Sequence, residues 1–277
     1  MQIAMKQDRR LIIMTEWRLL RLETHNAFMN MAIDEAILTT RIADATSNTI
    51  RFYRWNPSAV SIGKFQKIHN EIQLDNCRKL KVDVIRRVTG GGTVYHDAGD
   101  EITYSVVAGK QDLNANDITA VYSKVYSGLV EALRVLGVTA DFNEGNKKAC
   151  PNLTVKGKKI SGSAQAHKGG VVLQHGTLLL DVDFERMFTL LRVPWAETCM
   201  QVANIAKDKI TSLKEELGKE PSAEDVENAL IRGFRTAFKV NLEEGKLTEQ
   251  EQYLAEKLCK EKYMSEEWNF HGNSPAA

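Results

Sequence analysis

Three short stretches of this chain carry residue types that can do chemistry on an acyl or phosphoryl group. The first, Arg86-Arg87-Val88-Thr89-Gly90-Gly91-Gly92-Thr93-Val94-Tyr95-His96-Asp97, sets two arginines ahead of three consecutive glycines. Without Cβ atoms, such a loop lets backbone N–H groups approach an anion or an extended ligand, and the guanidinium forks suit phosphate or carboxylate. The pattern is neither GxGxxG nor GxxxxGK[ST], which points away from dinucleotide-binding and P-loop folds. A plain hairpin loop with solvated arginines is the competing reading.

The second stretch is Lys156-Gly157-Lys158-Lys159-Ile160-Ser161-Gly162-Ser163-Ala164-Gln165. On a strand, alternation sets Lys159 and Ser161 on the face opposite Lys158 and Ile160. Gly162, Ser163 and Ala164 leave room for a bound molecule, and a lysine beside it can neutralise charge developing on an acyl phosphate or thioester oxygen. A basic turn at a sheet edge accounts for Lys156 and Lys158.

The third is Cys150, just upstream in Ala149-Cys150-Pro151-Asn152. Lys147, Lys148, Lys158 and Lys159 flank it, and nearby cations raise the thiolate fraction of a nucleophilic cysteine; a structural cysteine is the alternative. Cys77 and Cys259 fall in helical patterns as packing residues, and Cys199 sits in no motif. His175, in Gln174-His175-Gly176-Thr177, can orient a ligand, act as acid or base, or be a hydrogen-bonded core histidine. His96 carries the same alternatives. Asn30, Asp34 and Glu35 read as the solvated face of a helix.

These residues need elements to position them. The pattern predicts a helix over 24–40 with Asn26 as cap, strands over 49–54 and 59–62, and a short helix over 74–80. Strands follow over 82–86, 93–96 and 102–108, with a helix over 119–136. A β region covers 153–155, 159–165 and 171–180; helices follow over 184–191, 223–237 and 249–262. Strands follow strands too often for a doubly wound parallel sheet, so the class is α+β with a mixed sheet.

The 277 residues are 43% hydrophobic and 26% charged, enough apolar residues for a real core. With 37 basic against 36 acidic residues the net charge is +1, so no global field recruits nucleic acid or a membrane surface. No run approaches the roughly 20 apolar residues of a membrane span, and Leu11 to Ile13 is too short for a signal-peptide core of about 7–15. The four cysteines are scattered and no HExxH is present, which sets aside a disulfide framework and a zinc site. The expectation is a cytoplasmic protein with a flexible extension over 1–14, one catalytic domain over 15–269 and a tail over 270–277.

Together, MNMAIDEAI (29–37), IRFYRWNPSAVSIGKFQ (50–66), RRVTGGGTVYHD (86–97), KKISGSAQ (158–165) and LQHGTLLLD (173–181) resemble the lipoate–protein ligase A and octanoyltransferase family. KYMSEEWN (262–269) is similar to that family's ending. Each piece is weak alone, but five in register are specific. The resemblance implies a catalytic domain of the biotin/lipoate ligase type, with flanking helices and a helical C-terminal segment. It implies a lipoyl or octanoyl chain in an apolar tunnel. The acceptor would be a lysine on a lipoyl carrier domain of a 2-oxoacid dehydrogenase E2 or a glycine-cleavage H-type protein. By position, Arg87 and Gly90, Gly91 and Gly92 would line the acyl and phosphate site, and Lys159 would hold the activated carboxyl. Thr93, His96, Asn152, Ser161, Gly162, Ala164, His175 and Gly176 would complete the substrate pocket.

The family has two branches. Ligases use ATP and Mg2+ to make lipoyl-AMP, and their loop carries the third glycine found here as Gly92. Octanoyltransferases of the cysteine branch take octanoyl from acyl carrier protein onto a cysteine upstream of the lysine strand; their loop more often has arginine at that glycine. Pro151-Asn152 departs from the Asn-Asp of ligases, and Cys150 sits in the transferase loop, though closer to the lysine than in that branch. Gly92 tips the expectation to an ATP-dependent ligase acting on lipoate or octanoate, with a separate small accessory subunit. A Cys150 octanoyltransferase is the alternative. A non-catalytic binder of lipoyl domains or acyl ligands is a third reading, which Lys159 and the intact glycine loop oppose.

Overall fold

The computed structural model describes residues 15–146, 150–193, 196 and 198–272. The expected extension over 1–14, the lysines at 147 and 148, and 273–277 of the expected tail lie outside them. In chain order the first half comprises β1 (Glu16–His25), α1 (Ala27–Ile42), β2 (Thr49–Trp55), β3 (Ala59–Ile62), α2 (Ile68–Glu71), α3 (Leu74–Lys79), β4 (Asp83–Arg86), β5 (Val94–His96), β6 (Glu101–Gly109) and α4 (Ile118–Val135). Then come β7 (Asp141–Asn143), β8 (Asn152–Val155), β9 (Lys158–Lys168), β10 (Val171–Leu179), α5 (Phe184–Leu190), α6 (Cys199–Lys207), α7 (Leu213–Leu217), α8 (Ala223–Phe238), β11 (Asn241–Glu244) and α9 (Glu249–Leu258). Two π-helical turns, Cys259–Tyr263 and Glu267–His271, close the described chain.

An eight-stranded mixed sheet runs in the order β11-β1-β2-β6-β10-β9-β8-β7, parallel at β11-β1-β2 and antiparallel from β2 to β7. Alternate residues of β2 and β6 point to opposite faces, and both faces are covered. Ile50, Phe52, Tyr104 and Val106 pack under α4 and α8, whereas Tyr53, Trp55 and Val107 pack under α1. A separate three-stranded sheet, β4-β3-β5, carries the glycine loop on its connection between β4 and β5.

The α+β class and mixed sheet expected from the sequence are what the chain forms. The strands β1, β7 and β11 and the helices α2, α6 and α7 were not foreseen. In β1 the register shifts between Leu20 and Glu23, which breaks the two-residue period that marks a strand. The strand also runs to His25, so the first helix begins only after Asn26, whose side chain accepts from the Met29 N–H at 2.9 Å. The last predicted helix ends as α-helix at Leu258 and continues as a π turn. There Lys262 Nζ and Tyr263 Oη reach Glu35 on α1 at 2.8 and 2.6 Å.

Helices α4 and α8 cross at two glycines. A Cβ at Gly233 would fall onto the Gly128 carbonyl oxygen, with the Ala132 nitrogen 2.5 Å away. Backbone cannot yield as a side chain can, so Gly233→Ala should destabilise by about 1–3 kcal/mol although alanine is the better helix former. A urea midpoint that falls with unchanged slope is the expected result; an unchanged midpoint would mean the helices separate at no cost.

Candidate active site

A cavity of about 430 Å³ opens between the glycine loop and the α1 face of the large sheet. Its wall takes Met31 from α1, Tyr53 and Trp55 from β2, Ser61 from β3, and the β9–β10 residues Lys159, Gly162, Ala164, His175 and Thr177. Of the residues singled out in the sequence, Arg87, Gly91, Gly92, Thr93, His96, Cys150, Asn152 and Gly176 also line it. Gly90 and Ser161 do not. Met31, Tyr53, Trp55, Ser61 and Thr103 were missed because apolar and small hydroxyl residues on a buried helix face or strand carry no sequence signal of a ligand. No carboxylate is among the described lining residues.

Lys159 enters this cavity by a route other than simple alternation. Between β8 and β9 the pairing shifts from Leu153–Ser161 to Thr154–Lys159, so Ile160 is an extra residue in a bulge. At the same place the Lys159 backbone bonds to the segment before α7, donating to Lys209 O at 2.8 Å and accepting from Thr211 N at 2.9 Å. Ile160 is consequently driven into the α4–α8 core, and the buried Ser161 lies on that same side, toward Tyr104. A Cβ on Gly162 would lie 2.6 Å from Lys159 Nζ, so the lysine lies over Gly162, not beside Ser161. The pairing of Lys159 with Ser161 is corrected accordingly. Lys159 is exposed, but to the cavity; desolvation by the surrounding protein lowers its pKa, and Cys150 pulls it back up. Lys158 points away, to Glu215 at 2.9 Å, and Lys156 to Glu216 at 2.8 Å.

The two arginines divide. Arg86 is structural, its donors reaching Gly63 O, Lys64 O and Gln66 O on the loop after β3 and Trp268 O and Asn269 O of the last turn. Arg87 faces the cavity, with NH1 on Ser61 Oγ at 2.6 Å and NH2 on Gly90 O and Gly92 O at 3.0 and 2.9 Å. Burial pushes its pKa down to about 10, so it stays charged at neutral pH. Of the three glycines only Gly91 needs to be one: its φ is +88°, and a Cβ would sit 3.2 Å from Ala164 Cβ. A Cβ on Gly90 or Gly92 would meet nothing within 4 Å.

The helix face read as solvated is the opposite. Asn30 and Asp34 are 0% and 1% exposed. Asp34 Oδ1 accepts from Arg51 NH1 at 2.9 Å and Ser105 Oγ at 3.0 Å, while Oδ2 takes Tyr53 Oη at 3.0 Å and His175 Nδ1 at 2.9 Å. Desolvation works to raise the Asp34 pKa, but the His175 bond and the Arg51 charge outweigh it and hold it below the usual carboxylate value. His175 Nε2 meets Thr89 Oγ1 at 2.8 Å. Its pKa is lowered, chiefly by desolvation, so it is a neutral, hydrogen-bonded core histidine in the cavity wall. His96 is buried likewise, with Nδ1 on Glu101 at 2.7 Å and Nε2 on Ser61 Oγ at 2.7 Å, stacked on Trp55.

Cys150 is exposed and lines the same cavity as Lys159 and Arg87. Cys77 and Cys259 are buried packing residues, as their helical patterns suggest.

The lipoyl protein ligase A/B catalytic-domain family matches residues 26–235. Octanoyltransferase LipM of Clostridioides difficile is 36% identical over 271 residues, covering 92% of this chain and 99% of that one. The LipM of Kyrpidia tusciae is 37% identical over 275 residues, covering 93% and 99%. Among solved structures, the bi-partite lipoate protein ligase of Thermoplasma acidophilum superposes with a TM-score of 0.81 at 30% identity over 96% of this chain and 99% of that one. A lipoate-protein ligase A bound with ATP gives 0.81 at 32% identity over 94% and 100%. The near full-length octanoyltransferase relatives overturn the expectation of an ATP-dependent ligase, and with it that of ATP, Mg2+ and an accessory subunit. The expectation had leaned on Gly92, where the structure leaves space for a side chain, so glycine there says little about the branch. A magnesium ion also finds no carboxylate among the described lining residues.

Two outcomes test this geometry. Gly91→Val should cut affinity for a medium-chain acyl ligand about tenfold or more, since a β-branched residue is strained at positive φ, whereas Gly92→Ala should not; calorimetry showing equal effects would make the loop a plain hairpin. A histidine whose folded pKa is depressed favours the native state above its unfolded pKa of about 6.5, and that stability is lost as pH falls through the folded value. The urea midpoint should therefore fall between about pH 7 and pH 5, and His175→Gln should flatten the fall. A slope untouched by that substitution would assign it to other groups.

Proposed function

Because this chain belongs to the lipoyl protein ligase A/B catalytic-domain family, we propose that it is an octanoyltransferase. In this reading it takes octanoyl from the thioester of an acyl carrier protein onto Cys150 and passes it to a lysine amine on a lipoyl carrier domain. One observation carries it: Cys150, Lys159 and Arg87 share one cavity wall with no acid among the described lining residues. No helix among the described residues is long and apolar enough to cross a membrane, and a cytoplasmic site of action belongs to the same proposal.

The chemistry balances around Lys159. The Cys150 thiolate attacks the carrier thioester, a new C–S bond forms, and the carbonyl oxygen takes the electron pair beside the two cations. As the carbonyl re-forms, the carrier's sulfur leaves and takes a proton from the Lys159 ammonium. The neutral amine of the acceptor lysine then attacks the Cys150 thioester. Collapse forms the amide, releases the Cys150 thiolate, and returns the surplus amine proton to Lys159. Desolvation supports this exchange, because a lysine with a lowered pKa parts with its proton more readily. Met31, Tyr53 and Trp55 offer an apolar wall to the octanoyl chain.

Intact-mass measurement after mixing with octanoyl-carrier protein should show the wild type heavier by one octanoyl group and Cys150→Ala unmodified and inactive. Lys159→Ala should lose about 10²–10³-fold in transfer, and Lys158→Ala, whose ammonium is paired at the surface, little. Undiminished transfer by Cys150→Ala would remove the thioester route.

A further inference from the structure

The surroundings of Arg87 are unusual for a buried cation: among the described residues, none of its hydrogen bonds goes to a carboxylate. Its countercharges stand one step removed, at the ends of two similar chains. In the first, Arg87 NH1 donates to Ser61 Oγ at 2.6 Å, Ser61 Oγ lies 2.7 Å from His96 Nε2, and His96 Nδ1 lies 2.7 Å from Glu101 Oε1. In the second, Arg87 Nε donates to Thr89 Oγ1 at a longer 3.4 Å, Thr89 Oγ1 lies 2.8 Å from His175 Nε2, and His175 Nδ1 lies 2.9 Å from Asp34 Oδ2. The members are buried: His96 and His175 are each 4% exposed, and Ser61, Thr89, Glu101 and Asp34 no more than 1%.

Proton positions follow from the ends of the chains. Each carboxylate can only accept, so each histidine donates its Nδ1–H and is left with Nε2 as an acceptor. Nε2 then takes the hydroxyl proton of Ser61 or Thr89, which turns the hydroxyl lone pairs toward Arg87. Other donors share the acids: Thr103 Oγ1 also donates to Glu101 Oε1 at 2.9 Å and itself accepts from Trp55 Nε1 at 2.8 Å, while Arg51, Tyr53 and Ser105 complete Asp34. The guanidinium is thereby fixed from two sides by neutral oxygens. A direct ion pair would spend its charge; this arrangement leaves it directed at the cavity. The other titratable side chains that face Arg87 are Tyr53, Tyr122, Cys150 and His175.

We infer that two buried acid–histidine–hydroxyl chains converge on Arg87 and hold its guanidinium as the fixed cation of the acyl cavity, which makes Ser61, His96, Glu101, Thr89, His175 and Asp34 positioning residues. The inference deepens the octanoyltransferase reading and rests on it for the identity of the oxygen that Arg87 faces. It also divides the work of the two cations: Arg87 supplies a charge that does not titrate at neutral pH, and Lys159 moves the proton.

A double-mutant cycle tests the inference on full-length protein. Ser61→Ala and Thr89→Val should each slow acylation by octanoyl-carrier protein about tenfold or more, the worth of a hydrogen bond to a charged group, mainly in kcat, with Ser61→Thr restoring most of the loss. In an Arg87→Lys background, where the fork is gone, the same substitutions should cost almost nothing more. A merely structural role predicts additive losses in both backgrounds and parallel falls in melting temperature, and that result would overturn the inference. Octanoate affinity by calorimetry gives a second cycle that needs no acyl transfer. If the wild type forms no thioester on Cys150 while octanoate binding still shows non-additivity, the octanoyltransferase reading fails and the chains stand. Additivity in the octanoate cycle as well would remove the chains whatever the enzyme does.

Discussion

Asp34 is a carboxylate without water, and the architecture of the site follows from how it is satisfied. A buried charge costs several kcal/mol unless it is paired and every lone pair is used. Here the four acceptor positions are filled from three strands: Arg51 and Tyr53 on β2, Ser105 on β6 and His175 on β10. The same pairing locks α1 onto the sheet, because Asn30, one turn earlier, accepts from Arg51 and donates to the Arg54 carbonyl. Helix, sheet and cavity wall are therefore set by one group of hydrogen bonds, not by apolar packing alone.

The other side of the cavity is held by backbone. Arg86 ties the carbonyls of the loop after β3 to those of the last π turn, and Trp268 Nε1 returns a bond to Arg86 O at 2.8 Å. On that support the glycine loop can approach closely: a Cβ at Gly63 would fall on the Gly91 carbonyl oxygen. The C-terminal segment thus braces the site without lining it. Five residues of π-helix at Cys259–Tyr263 bring Lys262 and Tyr263 to Glu35, so the brace is anchored on α1 as well.

Ligases and octanoyltransferases share this fold, so the fold does not choose the chemistry. What a cavity can do depends on a few side chains. A wall whose described residues include two cations and a thiol but no carboxylate suits an acyl thioester, whose transfer builds negative charge on one oxygen and then releases it.

The sequence by itself determined the class of fold and most of the residues around the cavity. Strands such as β3 and β10 and helices such as α4 could be read because their periods are set locally, and the glycine loop, Lys159 and Cys150 because rare residue types cluster around them. It did not determine how charges would pair across the fold. Asp34 looks like any polar residue of an amphipathic helix, and only the arrival of β2, β6 and β10 beneath α1 buries it. Glu101 and Ser61 look like strand residues until β3, β5 and β6 bring them to His96. Lys159 was legible, and so was its face, opposite Lys158 and Ile160; what alternation did not show is that Ser161 leaves that face, because a bulge at Ile160, beside backbone partners at Lys209 and Thr211, breaks the period. Local periodicity is a property of neighbours in sequence, whereas burial of charge, register shifts and the environment of a cysteine depend on segments far apart in the chain, and only the tertiary structure brings those together.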